Sequence, residues 1–134
     1  MRLLITGSSD WKDSEMIDKT FDEFKKLYSK NEPFELMQFG TVYGVDAHVR
    51  KIGKKYGIDT LTYRVFGKTE KRIRNISVLK KHKPNILWIF CNNEPFGWMY
   101  DLIKKAKRRA ISVNVFKKEE IYSQLDLFKD NDTD

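Results

Sequence analysis

Arg2-Leu-Leu-Ile-Thr-Gly-Ser-Ser-Asp-Trp11 passes directly from an apolar run into a small, polar turn. A run of four to six apolar residues that does not alternate suits a strand buried on both faces, the situation of a parallel sheet covered by helices. Working outward, Asp13 or Ser14 offers a helix N-cap, and Ile17, Phe21, Phe24 and Tyr28 recur at helical spacing among charged residues. Asn31-Glu-Pro33 interrupts that helix, and residues 34 to 39 form a second strand candidate ending at Gly40. Val45, Val49, Ile52 and Tyr56 make the stripe of a second helix, with Gly57 placed as its left-handed C-cap. Residues 58 to 65 read as a third strand, and 71 to 82 as a basic helix with Ile73, Ile76 and Leu79 on one side, stopped by Pro84. Ile86 to Cys91 is the most apolar strand, Met99, Leu102, Ile103 and Ala106 mark a fourth helix, and Ile111, Val113 and Val115 alternate as in an edge strand. The order βαβαβαβαβ predicts an open parallel sheet with helices on both faces.

The chain has 134 residues and a mass of 16.0 kDa, which suits one domain. We expect that domain over residues 1–116, followed at 117–134 by a short amphipathic segment (Ile121, Leu125, Phe128) and an acidic tail. The single cysteine, Cys91, excludes an internal disulfide framework, and with two distant histidines it argues against a zinc site. The longest apolar run is far too short to span a bilayer, and no signal-peptide pattern follows the first residues, so a soluble, cytoplasmic protein is expected. The formal charge of +7 is uneven: residues 117–134 hold three lysines and six carboxylates, a net −3, which leaves +10 on residues 1–116. Such a body attracts anions, although a lysine-rich solvated surface explains it equally well.

In an open parallel sheet, ligands bind beyond the carboxyl ends of the strands, where the strand order reverses. Three polar, glycine-containing turns fall there: Thr6-Gly-Ser-Ser-Asp-Trp11, Gly40-Thr-Val-Tyr-Gly-Val-Asp46 and Cys91-Asn-Asn-Glu-Pro-Phe-Gly-Trp98. Glycine lets backbone N–H groups approach an anion, and a helix starting at such a turn adds its positive end. The dinucleotide pattern Gly-x-Gly-x-x-Gly, the P-loop, the Gly-x-Ser-x-Gly elbow and His-Glu-x-x-His are all absent.

Those turns, with Arg74-Asn75 and Gly97-Trp-Met99, resemble the YspA-like, cpYpsA-related branch of the SLOG superfamily, and the resemblance runs in order over residues 2 to 116. The resemblance implies a Rossmann-like domain that binds nucleotides or nucleotide-derived ligands, and with it we expect a three-layer α/β/α fold whose five-stranded parallel sheet has the order 3-2-1-4-5. The superfamily also includes phosphoribohydrolases of the Lonely Guy type, a single-strand-binding DNA-processing protein and sensors of nucleotide signals. Carried over by position, Gly7, Ser8 and Ser9 line one phosphate-facing turn, and Gly40, Thr41 and Gly44 line the second. Asp46 faces ribose hydroxyls, Arg74 pairs with phosphate and Asn75 bonds nearby. Trp11 or Trp98 faces the base, with Asn92 and Gly97 in the third turn. Ser9 stands where the family has arginine, and Trp98 where it has threonine. The Pro-Gly-Gly-x-Gly-Thr-x-x-Glu segment of the phosphoribohydrolases is replaced by residues 93 to 101.

The reading is therefore recognition of a nucleotide signal, by sensing, carrying or sequestering, with no metal and no cofactor. One alternative is a nucleotide hydrolase or phosphoribohydrolase using Glu94, Asp46 or Asp101 as acid/base. A second is binding of single-stranded nucleic acid through the basic body. Several residues also have plain structural readings: Asp46 complements the dipole of the second helix, Trp11 packs on the first, and Cys91 is a small core residue at the pocket rim. The clusters at Arg50–Lys55 and Lys104–Arg109 are read as solvated helix faces. A homo-oligomer paired through the third and fourth helices, with Trp98 or Met99 at one end, is also expected.

Overall fold

A computed structural model describes residues 1–28, 33–64 and 71–118. The elements are β1 (Arg2–Gly7), α1 (Ser14–Tyr28), β2 (Glu35–Gln38), α2 (Val45–Tyr56), β3 (Asp59–Thr62), α3 (Lys71–His82), β4 (Ile86–Cys91), α4 (Trp98–Arg108) and β5 (Ser112–Lys117). All five strands are parallel, in the order β3-β2-β1-β4-β5. This is the expected Rossmann-like arrangement, with the expected strand order. The expected C-terminal segment and acidic tail lie outside the described residues, apart from Lys117 and Lys118.

The continuous apolar runs conceal a period of two that sorts side chains between the faces of the sheet. Leu3 and Ile5 of β1, with Trp88 and Phe90 of β4, pack with Ile17 and Phe21 of α1 and Val45, Val49 and Ile52 of α2. Leu4, Leu87, Ile89 and Cys91 point the other way, against Val78 and Leu79 of α3 and Leu102, Ile103 and Ala106 of α4. The sheet thus separates two apolar clusters, each covered by a pair of helices. The ring of Trp88 meets Phe24 edge-on at 5.1 Å and Phe116 at 5.7 Å, and Phe90 stacks on Phe116 at 4.6 Å.

Helix ends follow local chemistry. The Oδ1 of Asp13 accepts the N–H of Met16 at 3.1 Å, so Asp13 rather than Ser14 caps α1. Gly57 ends α2 at φ 63°, and its N–H returns to the last turn of the helix. His48 of α2 and Asp18 of α1 meet at 2.8 Å and hold those two helices together. β2 and β3 are each shorter than the apolar stretches suggested, because the chain turns out of the sheet after Gln38. There the Gly40 N–H donates to the Gln38 side-chain oxygen at 2.6 Å, and Gly40 takes φ 84°. Among the described residues, no helix is long and apolar enough to cross a membrane.

Candidate functional site

β1 and β4 are neighbours whose following helices lie on opposite faces of the sheet, so the strand order reverses between them. The turns after β1 and β4, together with Thr41 after β2, enclose a cleft of about 510 Å³ at this point. That volume is within the usual range for small-molecule sites, roughly 300 to 1,000 Å³. Of the residues expected at the site, Gly7, Ser8, Ser9, Thr41, Asn92 and Trp98 line the cleft. Asp10, Lys71, Cys91, Asn93, Glu94, Phe96 and Met99 complete the wall. Lys71 was not legible beforehand, because it opens a basic helix and reaches the cleft only through the packing of α3 against α4. Phe96 on that wall is 74% exposed.

The glycines of the first two turns are explained by close backbone approach. A Cβ on Gly7 would lie 1.9 Å from the Phe90 carbonyl oxygen, and one on Gly44, at φ 78°, 2.4 Å from that of Ser8. The Ser8 carbonyl accepts the N–H groups of Trp11 and Val45, each at 3.3 Å, which joins the first turn to the start of α2. These contacts bring the turns together before any ligand is considered.

Asp46 lies under the cleft rather than in it. The side chain is 2% exposed, Oδ1 accepts the Thr6 hydroxyl at 2.8 Å, and Oδ2 accepts the Thr41 N–H at 3.2 Å. Its expected place beside ribose hydroxyls is therefore taken by two groups of the protein, and it acts as a pin between β1 and the second turn. Burial raises its carboxyl above the usual range, while hydrogen bonds from Thr41 and Thr6 and the nearby Arg74 charge draw it back. Arg50 braces the same turn, donating to the Gln38 side-chain oxygen and the Thr41 carbonyl, both at 2.8 Å. Arg50 was expected to be a solvated surface cation; its planar fork instead bridges two acceptors that only the fold brings together.

Arg74 is half-buried and lies against Trp98. Its guanidinium carbon lies 3.8 Å from the centre of the Phe39 ring and 4.9 Å from that of Trp98. Nε and Nη2 are buried and have no hydrogen-bond partner among the described residues. Burial lowers its pKa, and the Asp46 carboxylate raises it again. Asn75 is fully buried, and its amide donates to the Trp98 carbonyl at 2.9 Å and to Asp101 Oδ2 at 3.1 Å, which ties α3 to the start of α4. Gly97, at φ 57°, precedes that helix and is not part of the cleft wall.

Trp11 is a core residue, as its packing reading has it, and does not stand beside a base in the cleft. It is 5% exposed, meets Phe90 edge-on at 5.5 Å and donates its indole N–H to the Asp13 carbonyl at 2.7 Å. Gly40 shapes the second turn from outside the cleft. The three carboxylates considered for acid/base chemistry are all engaged. Glu94 pairs with Lys117 at 2.8 Å, Asp46 is held as described, and Asp101 pairs with Lys105 at 2.8 Å. Burial alone would raise the Asp101 pKa, but hydrogen bonds from Lys105 and Asn75 outweigh it and hold the carboxyl below its ordinary value. Among the described residues, no group of three or more His, Cys, Asp or Glu gathers as a metal site. Comparison with protein-family models, curated proteins and solved structures returned no match to this chain.

Proposed function

We propose that this cleft binds a nucleotide or nucleotide-derived small molecule and that the protein senses, carries or sequesters it, as the resemblance to SLOG domains implies. The observation that carries this reading is Arg74. A half-buried guanidinium with two buried donors unpaired among the described residues costs free energy unless an acceptor arrives, and each such unmatched donor calls for an explanation. The Asp46 carboxylate is near enough to bias it electrostatically but does not take its hydrogen bonds. A phosphate reached by rotation of the Arg74 side chain past Trp98 would supply both missing acceptors in the bidentate geometry that guanidinium favours. Lys71 on the cleft wall adds a second cation, and Ser8, Ser9 and Thr41 offer hydroxyl donors. The rings of Phe96 and Trp98 suit a planar base, and the amides of Asn92 and Asn93 suit its polar edge. With both oxygens of Asp46 taken, sugar hydroxyls fall to the rim carboxylates Asp10 and Glu94, each bonded through one oxygen to Asn92 and Lys117 respectively.

The test is a thermal-shift panel of nucleoside mono- and diphosphates, cyclic nucleotides, free nucleosides and inorganic phosphate. Ligand that binds only the folded chain raises the midpoint as its concentration passes Kd. Phosphorylated nucleosides should stabilise the native chain, free nucleosides should not, and Arg74→Met should abolish the effect. No shift at millimolar nucleotide, or an undiminished shift in Arg74→Met, would overturn the reading. Chromatography of the same mixtures should return the nucleotides unchanged.

A further inference from the structure

The whole charge excess of residues 1–116 sits in one helical layer. α3, Lys83, α4 and Arg109 carry eleven Lys or Arg against one carboxylate, Asp101, a formal +10; the remainder of residues 1–116 holds twelve of each sign. α3 and α4 pack side by side on the same face of the sheet, so this charge forms one surface. Nine of the cations are exposed: Lys71, Arg72, Lys80, Lys81 and Lys83 along α3, and Lys104, Lys107, Arg108 and Arg109 along α4. None of the nine forms an ion pair among the described residues, and Asp101 is already taken by Lys105 and Asn75.

Helix stability does not account for this pattern. Cations at the ends of α3 and α4 complement the helix dipoles, but Lys71 and Arg72 stand in the first turn of α3, where no acidic residue offsets them. Lys104 and Arg108, and likewise Lys105 and Arg109, are like-charged at a spacing of four, which weakens a helix. The layer therefore maintains self-repulsion that an external anion would relieve.

We infer that the α3/α4 face binds the sugar–phosphate backbone of a nucleic acid, separately from the cleft. Helices of twelve and eleven residues extend over about 16 to 18 Å, enough to meet about five phosphates of a strand rising 3.4 Å per nucleotide. Between the ends of the two helices lies a second cleft of about 490 Å³, rimmed by Lys80, Lys83 and Arg109 over the apolar floor of Leu79, Pro84 and Ile111, where a phosphate and its sugar would fit. A membrane surface fits less well, because Ile73 and Tyr100 are the only large apolar side chains exposed on these helices, too few to insert among lipids.

The test is fluorescence anisotropy of the full chain with a labelled single-stranded 20-mer and its duplex, titrated over a range of salt concentrations. The logarithm of affinity should fall linearly with the logarithm of salt, with a slope of about −0.7 (single strand) to −0.9 (duplex) per phosphate neutralised. The variant Lys104→Gln/Lys107→Gln/Arg108→Gln should reduce that slope by about two to three. The control Lys51→Gln/Lys54→Gln/Lys55→Gln removes as much charge from the exposed side of α2 and should leave the slope unchanged. Circular dichroism of both variants establishes that they fold. Absence of salt-sensitive binding, equal losses in the two variants, or tighter binding to phosphatidylserine vesicles than to either oligonucleotide would overturn the inference. None of these substitutions touches Arg74 or Lys71, so nucleotide binding in the first cleft succeeds or fails independently.

Discussion

Arg74 is subject to opposing free energies. Stacking of a guanidinium on Phe39 and Trp98 contributes on the order of 1 to 2 kcal/mol, whereas each of two buried, unmatched donors costs about 1 to 3 kcal/mol. Arg74→Met keeps most of the volume and discards the donors, so its unfolding free energy in urea should rise by about 1 kcal/mol while nucleotide binding is lost. A fall in stability would mean that the donors are satisfied in solution. The two buried or half-buried aspartates behave oppositely with pH. The folded Asp46 pKa lies above the unfolded value of 3.8, so its ionisation removes stability as pH rises through the folded value. The folded Asp101 pKa lies below 3.8, so its contribution is present above 3.8 and is lost as pH falls through the folded value. Urea unfolding of Asp46→Asn and Asp101→Asn between about pH 3 and pH 7 should give difference curves, wild type minus variant, of opposite slope. Curves of the same sign would contradict the environments described for these carboxylates. At this scale the sequence was a partial guide. The turns at Gly7–Ser9 and Thr41 were readable because glycine and short hydroxyl residues mark backbone geometry locally. The burial of Asp46 and Asn75 was not, because it depends on partners at Thr6 and Trp98 that only the assembled sheet brings near.

Among the elements, the glycines separate conformation from space. Gly57 has open room around its missing Cβ and only a left-handed backbone to satisfy, so Gly57→Ala should cost about 1 to 2 kcal/mol. Gly7 has an extended strand conformation but meets the Phe90 carbonyl, and Gly44 has both problems, so either change to Ala should cost about 3 kcal/mol or more. Chemical denaturation of the three variants tests that ranking, and equal losses would show that backbone conformation alone matters. Element order was legible because the period changed clearly between strand and helix, whereas the strand order was expected with the resemblance and not from the periodicity. Strand length was less legible. Phe39 and Tyr63 extend the apolar runs past the points where Gly40 and the Gln38 side chain divert the chain, and Phe34 stands just before β2. Arg50 shows a related limit: on a helical wheel it belongs with Lys51 and Lys54, yet it reaches the turn at Thr41 and is fixed there.

For the whole molecule, the central sheet is shared by two apolar clusters, so neither helical layer has a complete core of its own. Leu3→Ala opens a cavity on the α1/α2 side and Leu87→Ala one on the α3/α4 side, and each should lower stability by about 3 kcal/mol. Each should do so in a single cooperative transition seen alike by far-ultraviolet dichroism and by aromatic signals. Separate transitions would mean that the layers melt independently. The three tryptophans divide the molecule in another way. Trp11 and Trp88 are wedged among phenylalanine rings on the α1/α2 side, whereas Trp98 stands on the wall of the cleft against a guanidinium. Emission from the first two reports whether the chain is folded, and emission from the third reports what enters the cleft. The native protein thus carries two intrinsic fluorophore channels, and Trp98→Phe silences the occupancy channel while leaving the folding signal intact.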